Sequence, residues 1–299
     1  MPDTTVVLRD AASALTATFV PSAGMIGTSL ADGDAEFLGQ RRGLEAYVSH
    51  GKTMGIPLLY PWANRLSDDH YDVDGGRVTL TDGAGGVRFD SPRVPIHGVL
   101  AAYPDWEVIE RTDDALTAVL DYAARPGLLA SFPFPHRLTQ RVTLAERTLT
   151  VETTVTATAA AAVPLCFGYH PYFVIPGVPR AEWRLTLPAM RHLPVDDRGL
   201  PTGTHAPFDA RSAELGDTVY DDGFDGLPAG ATFALEGGGR RVEVRFEEGY
   251  PATQVFAPAS DDVVAIEPMT APTDALRRGD YRVADVDAPA VTRFSIRID

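Results

Sequence analysis

Short stretches of alternating apolar and polar residues recur from one end of this chain to the other, and long amphipathic helical patterns are scarce. Successive side chains of a strand point to opposite faces, so a period of two fits a sheet with one face on a core. The clearest alternation runs over 136–144 and 148–156, joined by Ala145, Glu146 and Arg147. Residues 5–9 and 15–20 read as paired strands. Residues 71–80 read as a hairpin turning at Asp74-Gly75-Gly76, and 106–110 with 115–122 as another. Strand patterns continue at 183–187, 231–235, 242–246, 253–256, 263–266 and 292–298. Turn residues punctuate them at strand spacing, which predicts an all-β fold, a sandwich or a barrel. Helical patterns are short, around 43–50 and 271–276. There is no repeat, low-complexity tract or break in composition, so residues 1–299 are expected to form a single domain. A strand reaching residue 298 means that truncation there should damage the core.

The charge balance narrows the classes of function. Lys and Arg number 26 against 41 Asp and Glu, a formal charge of −15. Such a surface disfavours nucleic acid, anionic membrane and, without a local arginine cluster, a strongly anionic substrate. The single cysteine, Cys166, has no internal disulfide partner. The first ten residues lack a basic n-region and a long apolar h-region, so no signal peptide is expected. No stretch approaches ~18 consecutive apolar residues. A cytoplasmic location is the default expectation.

Common catalytic motifs are absent: no Gly-x-Ser-x-Gly, no P-loop, no His-Glu-x-x-His and no Cys-x-x-Cys. Gly83, Gly85 and Gly86 sit between strands without a following helix and read as a loop. The seven histidines are scattered, no two with metal-ligand spacing on one element, so no structural zinc or other metal is expected. What stands out is Pro164–Gly177, which sets His170 among Phe167, Tyr169, Tyr172 and Phe173. Such a histidine is as a rule a satisfied core residue, but desolvation there would also tune it for proton transfer. Glu267 closes the apolar run Val263-Val-Ala-Ile. A carboxylate in that position would have a raised pKa and could act as a base. Asn64 and Arg65 follow an apolar Pro/Trp stretch, and His97 precedes Gly98 in Val94-Pro-Ile-His-Gly. Each has an ordinary alternative as a surface arginine or a turn histidine. The acidic Asp221-Asp222 pair reads most simply as a solvated turn.

Taken in order, Pro61-Trp-Ala-Asn64-Arg65, Ile96-His97-Gly98, Gly168-Tyr-His170-Pro-Tyr-Phe173, Asp221-x-x-Phe224 and Ala265-Ile-Glu267-Pro-Met-Thr resemble the aldose 1-epimerase (mutarotase) family. The resemblance runs from about residue 5 to the C-terminus, and closest to its bacterial aldose-epimerase-like branch. It implies a large antiparallel β-sandwich, the galactose mutarotase-like supersandwich. It implies interconversion of the α and β anomers of a free aldose such as glucose or galactose, without cofactor. By that resemblance His170 is the general acid at the ring oxygen and Glu267 the general base at the anomeric hydroxyl. The roles would require Glu267 to start ionised and His170 protonated. Arg65, His97 and Asp221 would hold sugar hydroxyls, with Asn64 and Gln254 contributing. The aromatic residues around His170 would stack on the pyranose.

Two features depart from the family pattern. Asp222 stands where many galactose-type members have a histidine. The 55–65 segment lacks the Gly-Gly-rich, Trp-Pro-x-Phe-Gly form of the hexose-6-phosphate 1-epimerase relatives. With the −15 charge this favours a neutral sugar, and Arg41-Arg42 reads as surface. A phosphosugar epimerase and a non-catalytic carbohydrate-binding protein are the alternatives. A two-carboxylate glycosidase lacks a second carboxylate in an apolar run. The expected partner is a small sugar, with no nucleic acid and no membrane, in a monomer or homodimer.

Overall fold

In a computed structural model, residues 5–91 and 93–299 are described. Residues 1–4, which fall in the segment read for a signal peptide and in the expected 1–299 domain, lie outside them, as does Pro92. Two large antiparallel sheets dominate. One has nine strands in the order Arg211–Glu214, Arg184–Leu187, Thr232–Gly237, Arg240–Glu248, Ala290–Ile298, Thr148–Ala157, His136–Ala145, Ala115–Asp121 and Glu107–Arg111. The other runs Ala206–Phe208, Met190–Leu193, Tyr220–Asp225, Ala252–Ala257, Val264–Met269, Gly168–Tyr169 and Leu58–Leu59, with Tyr172–Phe173 also paired to Val264–Met269. A four-stranded sheet begins at Val6–Arg9, and His70–Val73 pairs with Gly76–Thr79 across Asp74 and Gly75.

Alternation explains how the two large sheets share a core. Leu138, Val142, Val151, Val155, Phe294 and Ile296 of the nine-stranded sheet join Phe224, Val255, Val264 and Ile266 of the other in one apolar cluster. Tyr169 crosses directly between them. Its ring lies 5.2 Å from Phe294 and its hydroxyl is 2.6 Å from Thr153 Oγ1.

The strand Val264–Met269 is buried along its whole length. Val264 and Ile266 face the sandwich core. Ala265, Glu267 and Met269 face the other way, where smaller clusters with Tyr172 and with Leu59, Ala63 and Ala252 cover the sheet. A strand covered on both faces reads as an unbroken apolar run, and a carboxylate inside one is correspondingly unusual.

The helix Gly43–His50 falls where the sequence predicts it. The second predicted helix, 271–276, is displaced: Asp274 is left-handed (φ 68°), and a single turn forms only at Ala275–Arg278. The segment around Asp221 is not a turn but the strand Tyr220–Asp225, because Tyr220 and Phe224 supply buried side chains. Among the described residues, no helix is long and apolar enough to cross a membrane.

Candidate active site

Register builds the centre of the site. Gly168 pairs with Met269 and Tyr172 with Ala265. Between them lies His170, opposite Glu267, at a break in pairing made with Pro171, which has no N–H to donate. On the other side Glu267 pairs with Gln254, and Gln254 with Gly223. One row further, Asp221 pairs with Phe256 and Phe256 with Ala265. Four strands therefore present Asp221, Gln254, Phe256, Glu267 and Tyr172 on one face.

His170 Nε2 lies 3.1 Å from Glu267 Oε1 and 3.1 Å from the Tyr172 hydroxyl. Both members of the pair are almost fully buried, at 6% and 2% exposure. Burial pushes the Glu267 carboxyl well above its usual pKa, aided by the charge of Asp221 and opposed by Arg65. Burial, then the neighbouring His97 and Arg41, holds His170 well below its own. Charged forms lose most on desolvation, so burial favours a neutral acid beside a neutral imidazole. The sequence reading expected the ion pair. The two descriptions contain the same number of protons and differ by one transfer across the 3.1 Å contact.

The remaining groups surround this pair. His97 stands edge-on to His170, ring centres 5.7 Å apart. Its backbone is left-handed (φ 61°), and its N–H donates to the carbonyl of Asn64, itself left-handed (φ 55°), at 2.9 Å. Gly98 is required there, since a Cβ would lie 2.0 Å from the Tyr60 carbonyl oxygen. Arg65 pairs with Asp90, and the Gln254 amide donates to Asp221 at 2.8 Å. His170 Nδ1, His97 Nδ1 and Glu267 Oε2 are buried without a hydrogen-bond partner. Buried polar atoms left this way are costly, and they mark the place where a polar ligand would complete the structure.

A family described as aldose 1-epimerase matches residues 9–282. The chain belongs to the aldose 1-epimerase family. An Escherichia coli protein, YphB, described as uncharacterized, is 30% identical over 129 residues. That match spans 41% of this chain and 40% of the relative's length. Among solved structures, a protein from Synechocystis sp. PCC 6803 superposes with a TM-score of 0.82 at 22% identity, covering 100% of this chain and 96% of the other. An aldose epimerase homologue from C. elegans gives 0.77 at 17%, with 99% of both chains covered. A galactose 1-epimerase from Lactobacillus acidophilus gives 0.75 at 14%, again with 99% of both covered. These likenesses carry the fold, a galactose mutarotase-like β-sandwich.

Within that family frame, some expectations change. The aromatic residues beside His170 do not form a sugar platform. Tyr169, Phe167 and Phe173 belong to the sandwich core, as alternation along the strand requires. Tyr172 is on the site face, but its ring is stacked on His170 at 4.2 Å and 19°. Arg41 is not a surface residue. Its guanidinium lies 4.6 Å from the centre of the Tyr172 ring and pairs with Asp261 at 2.8 Å, while Arg42 is exposed. Asp222 points away from Asp221 and accepts from His192 at 2.8 Å. Sequence reasoning missed Thr53, Arg41 and Phe256 at the site. Their approach depends on folding, and no local pattern distinguishes them.

Proposed function

We propose that this chain is a cofactor-independent mutarotase, an aldose 1-epimerase acting on a free aldose such as glucose or galactose. The observation that carries the reading is the buried His170–Glu267 pair, 3.1 Å apart, with unsatisfied polar atoms around it.

Opening a cyclic hemiacetal needs one proton removed from the anomeric hydroxyl and one added to the ring oxygen. A carboxylate and an imidazolium on one substrate do both. Glu267 takes the hydroxyl proton as His170 protonates the ring oxygen, and the C1–ring oxygen bond breaks. The result is an open aldehyde beside a neutral acid and a neutral imidazole. Rotation about C1–C2 presents the other face of the carbonyl. Ring closure then returns both protons, and the pair is regenerated with no net proton exchanged. Burial favours the neutral forms of both groups, which are the forms they take beside the open-chain aldehyde. Arg65, His97, Asp221, Gln254 and Asn64 are proposed to hold and orient the hydroxyls.

A neutral sugar is favoured over a sugar phosphate. Arg41 and Arg65, the cations whose charge reaches His170 and Glu267, are each committed to a carboxylate. A phosphate would have to compete with Asp261 and Asp90 for them.

Polarimetry on freshly dissolved α-D-glucose and α-D-galactose tests the reading. Wild-type protein should speed the approach to anomeric equilibrium. Glu267→Gln and His170→Asn should each lose roughly 10²-fold or more of that rate while still binding sugar by calorimetry. Wild-type rates in either variant would remove the assigned role. Sugar binding with no acceleration would point to a non-catalytic carbohydrate-binding protein. Acceleration only with glucose 6-phosphate would point to a phosphosugar epimerase.

A further inference from the structure

Besides the guanidinium of Arg41, the Tyr172 hydroxyl meets two side chains. One is His170 Nε2 at 3.1 Å, and the other, closer, is Thr53 Oγ1 at 2.7 Å. Thr53 is held in place by the backbone that follows it. Gly55 accepts from the Tyr172 N–H at 2.9 Å, and Pro57 accepts from the His170 N–H at 3.1 Å. The 53–57 segment thus runs beside 170–172 and sets the Thr53 hydroxyl against the phenol. The Tyr172 ring lies flat on the imidazole, with Arg41 also against it.

We infer that Thr53 and Tyr172 are positioning residues for His170, Thr53 drawing the phenolic proton to itself so that the phenol oxygen is presented to Nε2 as an acceptor. The inference rests on His170 being the acid of the proposed reaction. Its logic is directional. A phenol has one proton to donate. Donated to Thr53, it leaves the Nε2 lone pair free to receive the proton shared with Glu267, and the phenol oxygen then accepts from the imidazolium. Donated to Nε2, it would occupy that lone pair and favour the neutral ring. Burial holds Tyr172 itself in the neutral phenol form, so the proton is present to be directed. The groups facing His170 are Glu267, His97, Tyr172 and Arg41. Thr53 acts on this set only through the phenol, and Arg41, which has no acceptor, cannot take the phenolic proton in its place.

Thr53→Val keeps the shape and removes the hydroxyl. It should lower kcat about 10-fold, the size of one directed hydrogen bond, with KM changed less than about twofold. Thr53→Ser should restore most of the rate. In a Tyr172→Phe background Thr53→Val should cost nothing further, because Thr53 acts only through the phenol. Wild-type kcat in Thr53→Val would overturn the inference, as would an equal loss in the Tyr172→Phe background. NMR titration of the His170 ring nitrogens gives an activity-independent arm. Thr53→Val should lower the His170 pKa relative to wild type, and an unchanged titration overturns the inference. If wild-type protein showed no mutarotation, the functional reading would fall while this titration still decided the positioning.

Discussion

The proposed exchange of one proton between two buried groups carries a recognisable pH signature. Burial lowers the His170 pKa and raises that of Glu267. Both shifts widen the range over which the pair keeps a single proton. Activity falls on the acid side only when His170 gains a second proton, well below its usual 6.5. On the alkaline side it falls only when Glu267 loses the shared one, well above its usual 4.5. The expected kcat/KM profile, after subtraction of the uncatalysed rate, is a plateau with its acid limb well below 6.5 and its alkaline limb well above 4.5. An acid limb near 6.5 would mean a solvated histidine and would contradict the burial. Arg41 contributes to the low His170 pKa, so Arg41→Gln should move the acid limb upward. His170 and Glu267 were legible in the sequence because polar residues inside apolar runs are rare enough to notice. Arg41 and Thr53 were not, since each reaches Tyr172 through long-range packing that leaves no periodic trace.

Among the elements, the turn after Met190–Leu193 is built to meet Arg65. Asp196 Oδ1 accepts from the backbone N–H of Arg198 at 2.9 Å and of Leu200 at 3.0 Å, and Leu200 is buried. Between them Gly199 (φ 72°) comes so close that a Cβ would lie 2.5 Å from an Arg65 guanidinium nitrogen. Gly199→Ala should push that side chain away from Asp90 and raise KM roughly 10-fold, the scale of a charged hydrogen bond. Gly203 (φ 84°) lies in the same loop with nothing near its Cβ position. Gly203→Ala is thus the control, carrying backbone strain without the contact. Equal effects of the two on KM would remove the Arg65 explanation. A second junction ties Asp10 to the turn between His136–Ala145 and Thr148–Ala157. Asp10 accepts from Ser13, Ala12, Glu146 and Arg147, and these bonds, Ser13 first, lower its pKa to about 2. A depressed carboxylate stabilises the fold above its unfolded value and loses that effect as pH falls through the folded one. Asp10→Asn should lower Tm at pH 7, and the difference should close between about pH 4 and pH 2. The long hairpins were readable from alternation alone, as was the helix Gly43–His50. The short strands Gly168–Tyr169 and Tyr172–Phe173 were not, because both faces are covered and alternation disappears where nothing is exposed.

At the scale of the molecule, the site depends on the sheet behind it. Tyr169, one residue before His170, rests on Phe294 and bonds Thr153 across the sandwich. Phe294 belongs to Ala290–Ile298, the middle strand of the nine-stranded sheet, paired on one side with Arg240–Glu248 and on the other with Thr148–Ala157. Phe294, Ile296 and Ile298 are fully buried. Their burial contributes roughly 5–9 kcal/mol by side-chain transfer, against a total stability on the order of 5–15 kcal/mol for a folded domain. Ending the chain at Pro289 would remove all of it and leave two central strands with unpaired edges, which favours aggregation. Such a chain should give no soluble protein with a cooperative thermal transition by circular dichroism. Phe294→Ala, which keeps the ladder, should still fold, with stability reduced by the ~3–5 kcal/mol typical of a deleted buried ring and Tm lowered accordingly. The proposed mutarotase rate should fall as well, because the segment carrying His170 loses its support. A Phe294→Ala protein with lowered Tm but undiminished kcat would show that the face carrying His170 and Glu267 holds its geometry without the sheet beneath it.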